Sequence, residues 1–179
     1  MKEKMSDSIV YHGTTSLFDK IDVSKGKPYK DFGKGFYVTK SRSHAIKLAL
    51  RNKQIAIEIS KNQAEAYLYT YEMNLTRLSH FHIKEFLAAD LEWVQFVLTN
   101  RKVRNRTHEY DIVLGPTAND DTMVVINAYL DGLYGELGSE NALNTLLKNI
   151  EAEKLPGQIY FGNNKAVSLL SQKMEAEKL

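Results

Sequence analysis

The sequence predicts an α+β fold in a single domain, and three observations carry that reading. Short β-type runs recur: "IVYHG" (9–13), "FYVTK" (36–40), "AYLYTYEMN" (66–74), "YDIVLG" (110–115) and "QIYFG" (158–162). Apolar stripes of helical period lie between and after them. The two kinds of element do not follow the regular βαβ order of a doubly wound sheet. With 179 residues, 43% of them hydrophobic and 26% charged, the chain has the length of one domain and enough apolar surface for a core.

Residues 9–13 read as a short buried strand stopped by Gly13. Residues 14–35 have no period, contain Gly26 and Pro28, and read as a loop winding back toward the core. The aromatic and β-branched run 36–40 reads as a second strand. Ser41 or Ser43 can cap the helix that follows, with Ala45, Leu48 and Ala49 on one face and Ile46 and Leu50 beside it. "QIAIEIS" (54–60) reads equally as more of this helix or as a strand. Tyr67, Tyr69, Tyr71 and Met73 then alternate with Ala66, Leu68, Thr70 and Glu72, the strongest strand signal in the chain. Its tyrosines read first as a core or inter-sheet face, and otherwise as a surface that could stack bases.

Residues 79–101 predict helix in two pieces. Ile83, Phe86 and Leu87 form the stripe of the first. Asp90 caps the second, which carries Leu91, Val94, Val97 and Leu98, with Trp93 in the core. Tyr110–Gly115 reads as a strand. Asn119–Thr122 opens a helix reaching roughly Tyr134, with Asp120 and Asp121 suited to its positive end. Ser139 caps another, with Leu143, Leu146, Leu147 and Ile150 inward. Pro156 and Gly157 turn the chain into a last strand, 158–162. A C-terminal amphipathic helix is expected to bury Ala166, Leu169, Leu170 and Met174.

Composition removes several chemistries. There is no cysteine, which excludes disulfides, thiolate catalysis and cysteine zinc sites. The histidines at 12, 44, 80, 82 and 108 lack metal-ligand spacing, so no metal is expected, although a carboxylate-only site stays open. A formal charge of +2 is too even to argue for nucleic acid by itself. The run "RKVRNR" (101–106) is locally basic and reads as solvated surface, or as a contact to a pyrophosphate or a nucleic-acid backbone. The first residues are polar, without the apolar stretch of a signal peptide, and no run is long enough to span a bilayer. A cytoplasmic protein with no membrane partner is expected, and a protein delivered by a leaderless secretion route would read the same.

Two stretches can carry chemistry: "YHGT" (11–14) and "DFGKGFYVT" (31–39). The second is not a phosphate loop, because its glycines lead into a strand rather than from a strand into a helix. On spacing alone it reads first as a bulge between core aromatics, and His12 reads first as a structural histidine. Together, in this order, the two stretches resemble the ADP-ribosyltransferase superfamily in its poly(ADP-ribose) polymerase-like, His-Tyr branch. The likeness is closer still to a bacterial family of unknown-function domains within it. The shared motifs are Asp31–Tyr37, Glu92-Trp93-Val94-Gln95-Phe96, Asn100-Arg101, Asp111–Pro116, Ala118-Asn119-Asp120 and Gln158–Phe161.

The resemblance implies the split β-sandwich of the transferases: two small sheets with an NAD cleft between them, helices outside, and the block 79–101 as a helical insertion. It implies NAD as co-substrate. His12 would bond the adenosine ribose. Gly13 would hold the nicotinamide carboxamide through its backbone, and Tyr37 would stack on the nicotinamide. Thr14, Phe32, Gly33 and Gly35 would complete the binding set, with Phe36 turned into the core. The superfamily's glutamate position holds Gln158, which accepts hydrogen bonds but carries no charge. Asp120 is therefore the first candidate for a helping carboxylate, then Asp121, Glu109 and Asp111, with helix capping the plainer role for the first two. The implied activity is single ADP-ribose transfer to a protein or nucleic acid. Toxin or phage-defence roles and a neutralising antitoxin protein are implied by the superfamily alone. The alternatives are a non-catalytic NAD- or ADP-ribose-binding module, favoured by Gln158, and a purely structural or interaction domain.

Overall fold

The computed structural model describes residues 8–105, 107–151 and 155–179. Arg106, the last cation of the 101–106 run, lies outside the described residues. The elements in chain order are β1 (Ser8–Thr14), β2 (Phe36–Val38), α1 (Arg42–Ser60), β3 (Tyr67–Met73), β4 (Ile83–Glu85), α2 (Leu91–Lys102) and β5 (Ile112–Pro116). They continue with α3 (Asp120–Leu130), α4 (Glu140–Glu151), β6 (Gly157–Phe161), α5 (Asn164–Val167), β7 (Leu170–Gln172) and β8 (Glu177–Lys178).

The fold is α+β, with two small sheets. In the first, β3 is central: it pairs antiparallel with β1 on one side and with β7 and β8 on the other. The second runs β2-β6-β5-β4, antiparallel except for the parallel pair β4–β5. Strand alternation sorts the side chains. Val10, Tyr69, Tyr71 and Met73 of the first sheet meet Phe36, Val38, Ile112, Ile159 and Phe161 of the second in one buried cluster between the sheets. The opposite face of the second sheet, with Val113 and Tyr160, packs with Phe32 against Trp93, Val94 and Val97 of α2, Ile126 of α3 and Leu146 of α4. The tyrosines of β3 are thus inter-sheet residues. Trp93 is fully buried and donates its indole N–H to the Pro116 carbonyl at 3.1 Å.

Helix α1 covers the outer face of the first sheet, and Gly13 makes this possible. A Cβ there would lie 1.9 Å from the Ala45 carbonyl oxygen. Ser41, not Ser43, is the cap, accepting from the His44 N–H at 3.2 Å, and 54–60 continues the helix. Asn119 rather than an aspartate caps α3, leaving Asp120 and Asp121 in its first turn.

Two expectations are corrected. The block 79–101 is not wholly helical: Ile83–Glu85 is a strand that extends the second sheet beside Ile112–Leu114, and Leu87 is 90% exposed. A spacing of three apolar positions suits one helical turn as well as a three-residue strand, and the free edge of β5 decides between them. The C-terminal segment is not one helix either. After the four residues of α5 the chain becomes β7, because the β3 edge at Tyr71–Met73 offers a hydrogen-bonding partner; Met174 is 58% exposed.

Gly13→Ala should cost at least about 2 kcal/mol, the order of an overpacked contact, measured by urea unfolding. A variant as stable as wild type would mean that α1 does not rest on β1 at this point.

Candidate functional site

The site begins where the two sheets touch. Tyr11 and Thr39 exchange backbone hydrogen bonds of 2.8 and 2.9 Å, forming a bridge between β1 and the end of β2. Within a strand, residues two apart point their N–H and C=O groups the same way. Gly13 and Tyr37 therefore point theirs into the space between β1 and β2 just beyond the bridge. There the ladder stops, and the Tyr37 carbonyl instead accepts a bond from His12 Nδ1 at 2.7 Å. Among the described residues, neither the Gly13 N–H nor its C=O has a hydrogen-bond partner. The two strands thus split and leave one donor and one acceptor of Gly13 facing the gap.

His12 is poised beside them. A carbonyl only accepts, so Nδ1 must carry the proton. Burial pushes the imidazole pKa down to about 4, more than the Tyr37 bond raises it. The ring is therefore neutral near pH 7, and Nε2 presents a lone pair. Phe36 at 4.4 Å, Phe18 at 6.0 Å and Tyr69 at 6.4 Å frame the ring, centroid to centroid.

Tyr37 and Gln158 lie on the other face of β2 and β6. The Tyr37 hydroxyl donates to Gly33 O at 2.6 Å and accepts from Phe32 N at 3.1 Å, and its ring meets Tyr160 at 5.3 Å. Burial, then the Asp31 charge, holds this phenol well above its ordinary pKa, so it stays neutral. The glycines of 31–39 serve this packing. Gly33 has φ +90 and turns its carbonyl to the Tyr37 hydroxyl, while a Cβ on Gly35 would lie 2.2 Å from the Tyr160 ring. Phe32 is fully buried, and Thr14 turns the end of β1 by accepting from Ser16 N at 3.1 Å.

Gln158 belongs to a network that the sequence reading missed. Its Nε2 donates to Asp31 Oδ2 at 2.7 Å and to Pro116 O at 3.2 Å, which leaves Oε1 as its acceptor. Asp31 is only 4% exposed. Arg101 Nε bonds its Oδ1 at 2.7 Å, and the Ala118 N–H reaches Oδ2 at 2.9 Å. Arg101 also donates to Ala118 O at 2.7 Å. The first cation of the 101–106 run is therefore a partly buried ion-pair partner of Asp31 rather than fully solvated surface. Asp31 and Arg101 both stand in the shared motifs, but nothing in linear order pairs residues 70 apart.

The carboxylate candidates lie elsewhere. Asp120 is exposed and pairs with Arg51 of α1. Asp121 and Glu109 are exposed. Asp111 accepts from His82 N at 2.9 Å and Asn163 Nδ2 at 2.5 Å, a structural tie. None of the hydrogen bonds of these residues among the described residues runs to Gln158. The described residues contain no group of three His, Asp or Glu suited to a metal, and no helix long and apolar enough to cross a membrane.

Two clefts lie among the described residues. One, about 460 Å³, is lined by Gln158, Thr39, Lys40, Ser41 and Glu85 among mostly apolar neighbours. The other, about 490 Å³, is lined by Phe18, Tyr67, Tyr69 and Gln172 with Asp19 and Glu175. His12, Gly13 and Tyr37 line neither, though Phe18 and Tyr69 border both His12 and the second cleft. Chemically, the split offers a donor–acceptor pair suited to an amide and a neutral acceptor suited to a hydroxyl. Among the described residues it offers no unpaired carboxylate of β1 or β2.

A model of the family described as "Protein of unknown function (DUF3990)" matches residues 8–172, and the chain belongs to that family. The match takes in the second sheet, β1, β3 and β7 of the first, and every residue of the split and of the Asp31 network. Comparison with curated proteins and with solved structures found no match.

Asp31→Asn should lower stability by about 1.5–3 kcal/mol, the order of a charge-assisted hydrogen bond, because Arg101 is only partly buried; a loss under about 0.5 kcal/mol by urea unfolding would rule out a stabilising pair. His12 gives a pH test. Its folded pKa, about 4, lies below the ordinary 6.5, so between those values the unfolded chain binds a proton that the folded chain does not. Stability should therefore fall as pH drops through that window, by roughly 3 kcal/mol at most, with no contribution above it. His12→Gln should remove that part of the slope, and equal slopes in variant and wild type would contradict a buried neutral His12.

Proposed function

We propose that this protein is an NAD-dependent ADP-ribosyltransferase that modifies a macromolecule. The observation that carries the reading is the split itself: the Gly13 N–H and C=O face the gap beside a neutral His12 with a free Nε2. An amide group takes one donor and one acceptor from a single residue, and a ribose hydroxyl takes an acceptor. The resemblance to the His-Tyr transferases asks for these two features at these two residues. NAD supplies an activated glycosidic bond, whose cleavage moves ADP-ribose to a nucleophile and releases nicotinamide and a proton.

The chain's own residues then divide the work. Gly13 orients the carboxamide. His12 Nε2 accepts from a ribose hydroxyl, and its tautomer is fixed by the Tyr37 carbonyl. Tyr37 braces the loop 31–35 through its hydroxyl, and its ring packs beside Tyr160 on the far face of β2. Gln158, held by Asp31 and Pro116, presents Oε1 as a second hydroxyl acceptor. The Phe18–Tyr69 cleft suits the flat adenine end, and Phe18 must shift from the His12 ring for a dinucleotide to enter.

One observation favours a second reading, a module that binds NAD or ADP-ribose without chemistry. The only carboxylate touching Gln158 among the described residues, Asp31, is neutralised by Arg101 and fully hydrogen-bonded. Toxin, defence and antitoxin roles extend the first reading and rest on the resemblance.

The test is transfer from NAD labelled on its adenylate half, in a cell extract, read after separate protease and nuclease treatment. Wild type should label a macromolecule, and His12→Ala should abolish labelling with the fold retained. Tyr37→Phe should keep activity better than Tyr37→Ala, because the ring stays. Full labelling by His12→Ala removes the proposed site. NAD binding without labelling or nicotinamide release would select the second reading.

A further inference from the structure

The loop between the 3-10 turn at Val23–Lys25 and β2 has a chemistry that the NAD reading does not use. Its sequence, "KGKPYKDFGK" (25–34), holds four lysines in ten residues. The carboxylates near it are occupied. Asp22 caps the 3-10 turn, accepting from Ser24 N at 3.0 Å and Ser24 Oγ at 2.6 Å, and Asp31 is buried against Arg101. Among the described residues Lys25, Lys27, Lys30 and Lys34 make no ion pair. Partial burial, then the charge of Lys27, lowers the Lys30 pKa against the opposing pull of Asp31, with smaller contributions from the guanidinium groups of Arg101 and Arg51.

Between Lys27 and Lys30 sits Tyr29, 51% exposed and with φ +61. A bulky aromatic in the left-handed region is an outlier, and glycine would take that conformation freely. Burial does not account for the tyrosine. The loop that carries it is clamped: Gly26 lies against Gly35, where a Cβ would come within 2.4 Å of the Gly35 carbonyl, and Gly33 N bonds Lys30 O at 3.0 Å. Pro28 fixes the backbone just before it. The exposed ring is thus carried on a clamped loop whose four lysines make no ion pair among the described residues.

We infer that the 25–34 loop is a binding surface for single-stranded nucleic acid, with Tyr29 as a base-stacking platform and Lys25, Lys27, Lys30 and Lys34 as phosphate contacts. Unpaired bases offer a π-face to an aromatic ring and phosphates to lysines, whereas bases stacked within a duplex leave no face for Tyr29. Asp31, which holds Gln158, follows Lys30 directly in the chain. The surface stands without the NAD reading; if both hold, it names nucleic acid as the acceptor class.

The test is fluorescence anisotropy with labelled single-stranded DNA and RNA of about 12 nucleotides, using the full chain and no NAD. Binding should weaken with salt at a log–log slope near −3, about −0.7 per phosphate neutralised. Lys27→Ala with Lys30→Ala should reduce that slope by about half. Tyr29→Gly should weaken binding at least about fivefold, with thermal stability unchanged or higher because the positive φ is relieved. The inference is overturned if neither oligonucleotide binds, if Tyr29→Gly binds as wild type does, or if duplex and heparin compete as well as the single strand. Nicotinamide release, measured separately, keeps the two readings apart: its loss with oligonucleotide binding intact counts against the NAD reading alone.

Discussion

Tyr11 and Thr39 exchange two backbone hydrogen bonds, and the arrangement of the site follows from where that contact stops. One residue further along β1 the carbonyl of Tyr37 is taken by a side chain, His12 Nδ1, instead of by the Gly13 N–H. That substitution does three things at once. It fixes the imidazole tautomer, it orients the ring into the space between the sheets, and it leaves both polar groups of Gly13 facing a gap rather than a ladder partner. Unpaired backbone groups in an otherwise regular strand are uncommon, and a ligand able to pair with both is a physical reason for their persistence.

The two faces of β2 serve different ends. Phe36 turns toward His12 and the inter-sheet core, while Tyr37 turns toward Phe32, Tyr160 and the helices. The loop before β2 must therefore satisfy both cores within a few residues. Gly33 and Gly35 let it do so, one through a positive φ and the other through contact with the Tyr160 ring. Asp31 anchors the same loop by gathering Arg101 of α2, Ala118 before α3 and Gln158 of β6 around one carboxylate. Gln158 is thus a donor that helps to hold the fold. A glutamate there would set two carboxylates side by side, which gives the amide a structural reason in this chain.

Much of the fold was legible locally. The alternation of β3, the caps at Asp90 and Ser139 and the amphipathic stripe of α4 are short-range patterns, and the structure carries each of them. The errors fell where a short apolar run meets a free sheet edge. Ile83–Glu85 and Leu170–Gln172 are strands because β5 and β3 have open hydrogen-bonding edges beside them, and no local pattern records a neighbour's edge.

The sequence by itself determined the α+β class, the absence of thiol chemistry and the ordered motifs that single out His12, Gly13 and Tyr37. Those are properties of residue type and spacing along one chain. Only the tertiary structure decided that Gly13 is a glycine for the sake of α1, that Asp120 is an exposed partner of Arg51, and that Asp31 is the carboxylate beside Gln158. Each of these depends on atoms many residues apart meeting within a few ångströms, and such meetings are set by how the sheets and helices pack.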